Sequence, residues 1–349
     1  MSLIIIIRFS NENQGVITVP SNGADGVRKG DCSMDTKTVH SFAWTQGKAD
    51  IALGLVAVAW GSSYLLMKIG LGGMGPFMVI AMRFLIAFAV VGVVSFRKIA
   101  HTNRAVLKCA AVLGLLLFGL FAFLTHGLET TSASNGGFLT AMAVVFVPII
   151  NAVLQRRVPP RPIIAGTLVT LVGIGLLSLR GGLELHPGDA LCLASALLYA
   201  VFIVATDRLA PGFDGMVLGA WQLGFAGLYA LAFSFVFEAP TLPQTSAQWG
   251  AILALAIVCS AFGFVLQPVA QPHTTPEHAA LLFSIEPVAS AVLAFFVLGE
   301  TLPAQGYLGA ALVLAGVVVA SLPSREGDRA VARLDESAES MPDGPVPVM

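Results

Sequence analysis

Charge is scarce in this chain of 349 residues: only 11% are Asp, Glu, Lys or Arg, and the net charge is −1. A protein that binds nucleic acid needs a clustered basic face, which this composition does not provide. The 4 cysteines follow no disulfide or metal-binding spacing, and there is no glycine-rich loop ending in Lys-Ser/Thr. The sequence therefore predicts no nucleic-acid partner, no metal, no cofactor and no direct use of ATP.

Apolar residues are abundant: they make up 56% of the chain, and the mean hydropathy is +0.84. Between Ala49 and Leu322 they form about ten blocks of roughly 20 residues, separated by short joints. A bilayer core of about 30 Å is crossed by roughly 20 helical residues. The predicted fold class is an all-α integral membrane protein of about ten transmembrane helices, surrounded by the lipid bilayer.

The spans can be placed from the edges of the apolar blocks. Residues 1–48 and 323–349 are polar, and we expect both to be disordered. The predicted spans are Asp50–Gly70, Phe77–Phe96, Ala105–Thr125, Thr131–Leu154, Ile163–Leu179, Asp189–Thr206, Met216–Phe237, Ala247–Ala270, Ala279–Leu298 and Gln305–Leu322.

Lysine and arginine concentrate in the even-numbered joints between these spans. Arg97 and Lys98 lie in the second joint, and Arg156 and Arg157 lie in the fourth. The odd-numbered joints are poor in both residue types, apart from Arg180. Because cytoplasmic joints are the positively charged ones, we predict a multi-pass protein of the cell membrane with both termini in the cytoplasm.

The two halves of the chain, 49–180 and 188–322, resemble each other. Each half contains five predicted spans, and an odd number of spans per repeat inserts the second copy upside down. Inverted repeats of this kind are typical of secondary transporters, whose substrate site lies near the midplane between the repeats. A shift of 139 positions lays Asp50, Trp60 and Lys68 over Asp189, Tyr199 and Asp207, and a shift of 143 lays Gly166, Gly173 and Ser178 over Gly309, Gly316 and Ser321.

Several short motifs, taken in order, resemble the EamA-type branch of the drug/metabolite transporter superfamily. The resemblance covers all ten spans, and it departs after the fourth, where Gln155-Arg156-Arg157-Val158 replaces a Gly-Glu-Arg-Leu joint. The motifs are Trp60-Gly61-Ser62-Ser63-Tyr64 with Lys68, Ala81-Met82-Arg83-Phe84, the SASNGGFLT sequence of residues 132–140, Gly188-Asp189-Ala190-Leu191, Ser284-Ile285-Glu286-Pro287 and Leu298-Gly299-Glu300-Thr301-Leu302.

The resemblance implies transport of small organic metabolites or drugs. We expect an exporter that is coupled to protons and alternates access around a cavity between the two repeats. Two other classes stay open: an integral-membrane enzyme acting on lipid-like substrates, and an uncoupled channel or scaffold. The short joints carry no cluster of acids, histidines and a nucleophile, so we do not expect an enzyme. The substrate, and whether a homodimer forms, are left open.

Glu286 is the foremost candidate site residue, because it lies about eight residues into the ninth span, roughly 12 Å deep. An acid near the centre of a transmembrane helix costs about 2.5 to 3.5 kcal/mol, so it should face the interior of the bundle. Pro287 disfavours helical geometry at Glu286 and frees the carbonyl of Phe283. We predict a proton or cation site here, and a purely structural buried acid is the alternative.

Two cations lie in the first two spans. Arg83 is predicted to pair with Glu286 or with a substrate carboxylate, and its alternatives are an interfacial anchor or a pair with Glu129. Lys68 is a weaker candidate for the same role, since its long side chain can reach the interface.

Aromatic and amide side chains complete the candidate site. Aromatic rings with a polar tip can line a cavity for organic substrates, although ordinary packing explains each ring alone. Amide side chains bind polar substrates or join neighbouring helices. The aromatic candidates are Trp60, Tyr64, Tyr199 and Trp221, and the amide candidates are Asn135, Gln222, Gln267 and Gln271.

Overall fold

The structure is a computed structural model, and it describes residues 44–131, 133–178, 187–298, 304–320 and 322. Residues 1–43 of the predicted disordered leader and the tail from 323 lie outside these ranges. Residues 46–48, which the prediction placed in the leader, are helical because they form the start of the first apolar helix. All regular structure in the described ranges is helical. The α-helices are α1 Gln46–Gly61, α2 Ser63–Leu71, α3 Pro76–Val94, α4 Phe96–Ala100, α5 Arg104–Thr130, α6 Ala133–Ala141, α7 Ala143–Gln155, α8 Arg161–Ser178, α9 Pro187–Leu209, α10 Gly215–Phe237, α11 Ser246–Ala254, α12 Gly263–Ala270, α13 Pro276–Phe283, α14 Glu286–Leu298 and α15 Ala304–Ala320; Leu255–Phe262 is a π-helix, and Gln271–His273 is a 3₁₀-helix.

Seven helical stretches in the described ranges are long and apolar enough to cross a membrane, and the described part of the chain is helical throughout its regular structure, as predicted. Two further apolar helices, Arg161–Leu176 and Ala304–Ala320, are shorter. The predicted ninth span is divided at Ser284 and Ile285 into α13 and α14. The number of ten transmembrane helices therefore stays a prediction. The seven stretches are Gln46–Leu71, Pro76–Val94, Arg104–Thr130, Gly136–Gln155, Pro187–Leu209, Gly215–Phe237 and Ser246–His273.

Local chemistry explains one break between helices and one hydrogen bond that joins two helices. The hydroxyl of Ser62 donates to the carbonyl of Ala59 at 2.9 Å, a local bond that competes with helical hydrogen bonding between α1 and α2. Pro268 lies inside α12 and cannot bond back to the carbonyl of Phe264. That carbonyl instead accepts a hydrogen bond from Gln222 at 2.8 Å, which ties α10 to α12.

The odd-numbered joints meet each other at one end of the bundle, and two even-numbered joints meet at the other. Lys98 and Asp214, from the second and sixth joints, form an ion pair of 2.9 Å. At the opposite end the carboxylate of Glu238 accepts the backbone N–H groups of Phe77 and Met78, at 2.9 and 3.2 Å. This separation agrees with the charge bias that the sequence shows between the two sets of joints.

Small residues bring α8 and α15 into close contact. A Cβ atom at Gly166 would lie 2.6 Å from the carbonyl oxygen of Gly316, and one at Gly173 would lie 2.6 Å from the backbone nitrogen of Val313. Close approach at glycines is a usual means of packing helices in a membrane, where apolar burial gives little driving force between them.

Candidate functional site

A buried cavity lies in the middle of the bundle, between helices of both halves. The space open to the centre of a water molecule is about 30 Å³, which holds about two waters. A smaller cavity of about 10 Å³ adjoins it and shares Thr140, Tyr199 and Glu286. The lining of the main cavity is Trp60, Ser63, Tyr64, Met67, Leu120, Phe121, Leu124, Thr140, Tyr199, Phe264 and Glu286.

Glu286 is the acidic group of this cavity. It begins α14 directly after the helix break at Ser284 and Ile285, and it is 7% exposed. The hydroxyl of Tyr64 donates to its Oε2 at 3.1 Å, and the hydroxyl of Tyr199 donates to its Oε1 at 3.3 Å. One tyrosine comes from each half of the chain, so the carboxyl group joins both halves at the cavity.

Trp60 forms the wall next to Glu286. Its indole N–H donates to the carbonyl of Cys259 at 2.7 Å, within the π-helix, where the wider turn alters the backbone bonding. The ring packs at 4.5 Å from Phe264 and 5.1 Å from Phe283, measured between centroids, and stands edge-on to Tyr199 at 6.2 Å. The indole is therefore fixed by its hydrogen bond and by aromatic contacts on several sides.

Gly61 allows the first helix to touch α14 beside the site. A Cβ atom there would lie 2.8 Å from the Cβ of Ala289 and 2.9 Å from the carbonyl oxygen of Glu286. Such distances are shorter than van der Waals contact, so no larger residue fits without moving a helix. The close crossing brings Tyr64 within reach of Glu286.

Arg83 lies one layer behind the cavity wall. It is fully buried, and it donates to the hydroxyls of Ser260 at 3.0 Å and Ser63 at 3.3 Å. Its guanidinium also contacts the sulfur of Met67 and lies 4.4 Å from the centroid of Phe121. Its predicted pairing with Glu286 is wrong for this conformation, because no carboxylate of the described ranges lies within ion-pair distance and Glu286 is bonded to the tyrosines instead.

The alternatives considered for Arg83 also fail. Full burial excludes an anchor that reaches the interface, and Glu129 is not among its partners. One of its terminal nitrogens, Nη2, is buried and has no hydrogen-bond partner within the described part of the chain. A desolvated cation with donor capacity to spare thus stands behind Ser63 and Met67, which line the cavity.

Four of the polar candidates are not among the residues that line the cavities, and each donates a hydrogen bond within the protein. Gln222 donates to Phe264, Gln267 donates to Gln271 at 2.9 Å, and Gln271 donates to the carbonyl of Ile203 at 2.6 Å. Trp221 donates to Thr102 at 2.9 Å. The bonds of Gln222 and Gln271 join different helices, as the structural alternative for the amide side chains requires. Gln267 bonds within its own helical stretch, and Trp221 bonds to the loop between α4 and α5.

Two other candidates remain untested by the geometry. Lys68 lies in α2 and is not among the cavity-lining residues. Asn135 belongs to α6, but its side chain is outside the described part of the structure.

The sequence reasoning missed several members of the cavity wall. Ser63 and Met67 follow Trp60 at the spacing of one helix face, and that pattern alone could have indicated both residues. Thr140 and Phe264 carry no comparable signal, because they reach the cavity only through helix packing.

Comparison with known proteins agrees with this architecture. The EamA-like transporter family matches residues 47–179 and again residues 186–322. A protein of Archaeoglobus fulgidus, described as an uncharacterized transporter, is 31% identical over 307 residues, which cover 85% of this chain and 94% of the relative.

Two other relatives have more specific names. A probable terminal-alkyne amino-acid exporter of Streptantibioticus cattleyicolor is 27% identical, with 78% of this chain and 93% of the relative covered. A probable amino-acid metabolite efflux pump of Salmonella typhimurium is 26% identical, with 76% and 92% covered.

A chain of known crystal structure has the same fold, with a TM-score of 0.68 at 21% identity over 80% of this chain and 98% of that chain. The names of the family and of the relatives describe transporters rather than enzymes. With two matches that together span most of its length, the chain belongs to the EamA-like transporter family, and it is a multi-pass membrane transporter of small molecules.

Proposed function

We propose that the protein exports amino acids or amino-acid-like metabolites across the cell membrane in exchange for protons. The observation that carries the proposal is the Glu286 carboxyl group, which lines the central cavity and is held by one tyrosine from each half of the chain. Access to this group would alternate between the two sides of the membrane.

Coupling follows from competition for one carboxyl group. A buried carboxylate is expensive unless a proton or a cation neutralises it. If Glu286 binds either a proton or the ammonium group of the substrate, but not both, the two are carried in opposite directions. The Tyr64 and Tyr199 hydroxyls hold the carboxylate when neither ligand is bound.

The charges around the cavity suit a zwitterion. Glu286 offers a negative group on the cavity wall, and Arg83 places a positive group behind Ser63 and Met67. Ser63 accepts from Arg83, so its own hydroxyl hydrogen is available to a substrate carboxylate. An α-amino acid would satisfy both charges at once, whereas an amine or a carboxylic acid would leave one uncompensated.

The names of two relatives support the same substrate class and direction. One is described as a probable terminal-alkyne amino-acid exporter and the other as a probable amino-acid metabolite efflux pump. Both names describe outward transport.

Inverted repeats would supply the alternating access. The two family matches begin 139 residues apart, at 47 and 186, and end 143 apart, at 179 and 322. We propose that each contains five transmembrane helices and that the second is inverted, with residues 1–45 and 323–349 as cytoplasmic extensions. The contacts among odd joints at one end, and between even joints at the other, support this arrangement.

The cavity must widen to hold a substrate. Its volume of about 30 Å³ compares with about 300 Å³ or more for typical ligand pockets. Substrate binding therefore requires movement of its aromatic wall, as expected for a transporter that passes through a closed intermediate.

The test uses purified protein in liposomes that contain a pH-sensitive dye. Amino acids are added in pools and then singly, beside the amine that lacks the carboxylate and the acid that lacks the ammonium group. We expect saturable proton movement with the amino acid and much less with either analogue. Equal responses to the amine and the amino acid would refute the role of Arg83, and no response to any amino acid would refute the substrate class.

A further inference from the structure

A hydrogen bond between the two halves closes one end of the cavity-forming helices. The hydroxyl of Thr131, just before α6, donates to Oδ1 of Asp189 at 2.7 Å. Asp189 lies in the first turn of α9. The contact therefore joins the first helix of the second repeat to the fourth predicted span of the first repeat. In the proposed orientation this end of the bundle is extracellular.

The repeat places equivalent residues at the opposite end. The 139-residue offset of the matched segments relates Asp189 to Asp50 in α1. In the fourth span of each half, the first helix begins at Ala133 (α6) and at Pro276 (α13), respectively. These starts are 143 residues apart, and the same offset relates Thr131 to Thr274. Two Asp–Thr pairs of the same kind therefore lie at the two ends of the bundle.

The second pair is not bonded. Oδ1 of Asp50 and the hydroxyl oxygen of Thr274 are both buried, and neither has a hydrogen-bond partner in the described part of the chain. The other oxygen, Oδ2 of Asp50, lies 3.3 Å from Nε2 of His278, one turn beyond Thr274. A complementary buried acceptor and donor at one end of the molecule thus stand unused, while their counterparts at the other end are bonded.

We infer that Asp189–Thr131 and Asp50–Thr274 are the two gate pairs of the transporter, and that they form in turn. The first pair holds the extracellular end closed in this conformation. When the site opens outward, this pair breaks and Asp50 bonds to Thr274, so that the cytoplasmic end closes. The inference rests on the proposed inverted repeats and orientation.

The geometry supplies a pivot for this exchange. Gly61 brings α1 against α14 near the middle of the bundle, where a Cβ atom would lie 2.8 Å from Ala289. A tilt about this crossing moves the Asp50 end of α1 relative to the start of α13, which carries His278, without separating Tyr64 from Glu286. Buried polar atoms without partners cost free energy, so a conformation that pairs Asp50 with Thr274 recovers part of what breaking the other pair costs.

The two threonines allow a matched experiment. Thr131→Val and Thr274→Val remove one hydroxyl each, at equivalent positions, and leave the side-chain shape nearly unchanged. A reporter cysteine is introduced by Thr140→Cys, because Thr140 lines both cavities. The 4 native cysteines are first replaced with alanine. Right-side-out and inside-out vesicles are then treated with a membrane-impermeant maleimide, and its rate of reaction is measured.

We expect the two variants to change accessibility in opposite directions. Thr131→Val should speed extracellular labelling on the order of fivefold, because the outward-closed state loses its bond. Thr274→Val should slow extracellular labelling by a similar factor and speed cytoplasmic labelling. Thr131→Ser and Thr274→Ser, which keep the hydroxyl, should label like the parent chain.

Two results would overturn the inference: unchanged labelling in both valine variants, and shifts of both variants in the same direction. Thermal melting of each variant identifies a folding defect, which would change labelling from both sides together. The assay needs no substrate. Opposite shifts without amino-acid-dependent proton movement would therefore keep the gates and refute only the proposed substrate or coupling.

Discussion

Glu286→Gln tests the proposed coupling with the least disturbance of structure. The two side chains have nearly the same shape. In the wild type both carboxylate oxygens accept from tyrosines, Tyr64 at 3.1 Å and Tyr199 at 3.3 Å. Glutamine can accept from one tyrosine and donate to the other, which needs only a rotated hydroxyl. Because a neutral amide is also less costly to bury than a carboxylate, we expect the free energy of unfolding to be unchanged or higher.

The effect on transport should be large. An amide takes up no proton near neutral pH, so accumulation driven by a pH gradient should disappear. A charge-assisted hydrogen bond to the substrate ammonium group is worth about 1.5 to 3 kcal/mol. Its loss should weaken substrate binding about 10- to 150-fold.

The assay compares two modes of flux in the same liposomes. Labelled amino acid is followed with and without an imposed pH gradient, and substrate exchange is measured without a gradient at saturating concentration. We expect Glu286→Gln to lose the gradient-driven mode and to retain some exchange. Glu129→Gln is the matched control, since Glu129 is exposed and lies outside the cavity lining. Undiminished gradient-driven accumulation by Glu286→Gln would refute the coupling role.

Three further changes test the site and its supports. Arg83→Met should weaken amino-acid binding at least tenfold and leave that of the matching amine nearly unchanged, because the positive charge serves only the carboxylate. Gly61→Ala should lower the free energy of unfolding by about 1 to 3 kcal/mol through overpacking, whereas Gly54→Ala meets no atom within 4 Å and should not. Partial burial raises the pKa of Asp214, but hydrogen bonds from Lys98 and the first backbone N–H groups of α10 outweigh it, so the pKa lies below its usual value. Asp214→Ala should therefore cost about 1 kcal/mol at neutral pH. The cost should fall in acid, because the ionised carboxylate stabilises the fold above the ordinary aspartate pKa of about 4 and this contribution is lost as the pH falls through the lowered folded-state pKa.

Each of these three has an outcome that contradicts it. Equal losses of amine and amino-acid binding in Arg83→Met would point to a structural role for the guanidinium. Equal melting temperatures for Gly61→Ala and Gly54→Ala would mean that the helix crossing is looser than described. If the melting temperatures of Asp214→Ala and wild type differ as much at pH 3 as at pH 7, the ionised carboxylate of Asp214 is not the cause of the stabilisation.

Local properties of the chain were enough to place several spans, but not the breaks inside the first, fourth and ninth. The predicted span Met216–Phe237 corresponds to α10, Gly215–Phe237, and Phe77–Phe96 corresponds to α3, Pro76–Val94. Helix length and position in a membrane protein follow from local hydropathy, which is written directly in the sequence. The π-helix of residues 255–262 was not predicted, because the apolar pattern of this segment indicates a helix without distinguishing a π-helix from an α-helix.

The candidate site was predictable only in part. Glu286 was identified because an acid deep in an apolar span is costly, and Trp60 and Tyr64 because they share a helix face. The roles of the glutamines could not be decided, since the same amide can bind a substrate or a neighbouring helix. Gln222 bonds to a carbonyl that Pro268 frees on another helix, and only the packing of the two helices brings them together.

The sequence by itself determined that the chain is a helical membrane protein with two related halves and a buried acid in the second half. Tertiary structure decided which polar groups meet. Tyr64 and Glu286, 222 residues apart in the chain, form a hydrogen bond, and Arg83 bonds to serines instead of to that acid. The physical reason is that hydropathy is a property of each segment, whereas the partner of a buried polar group depends on how distant helices cross.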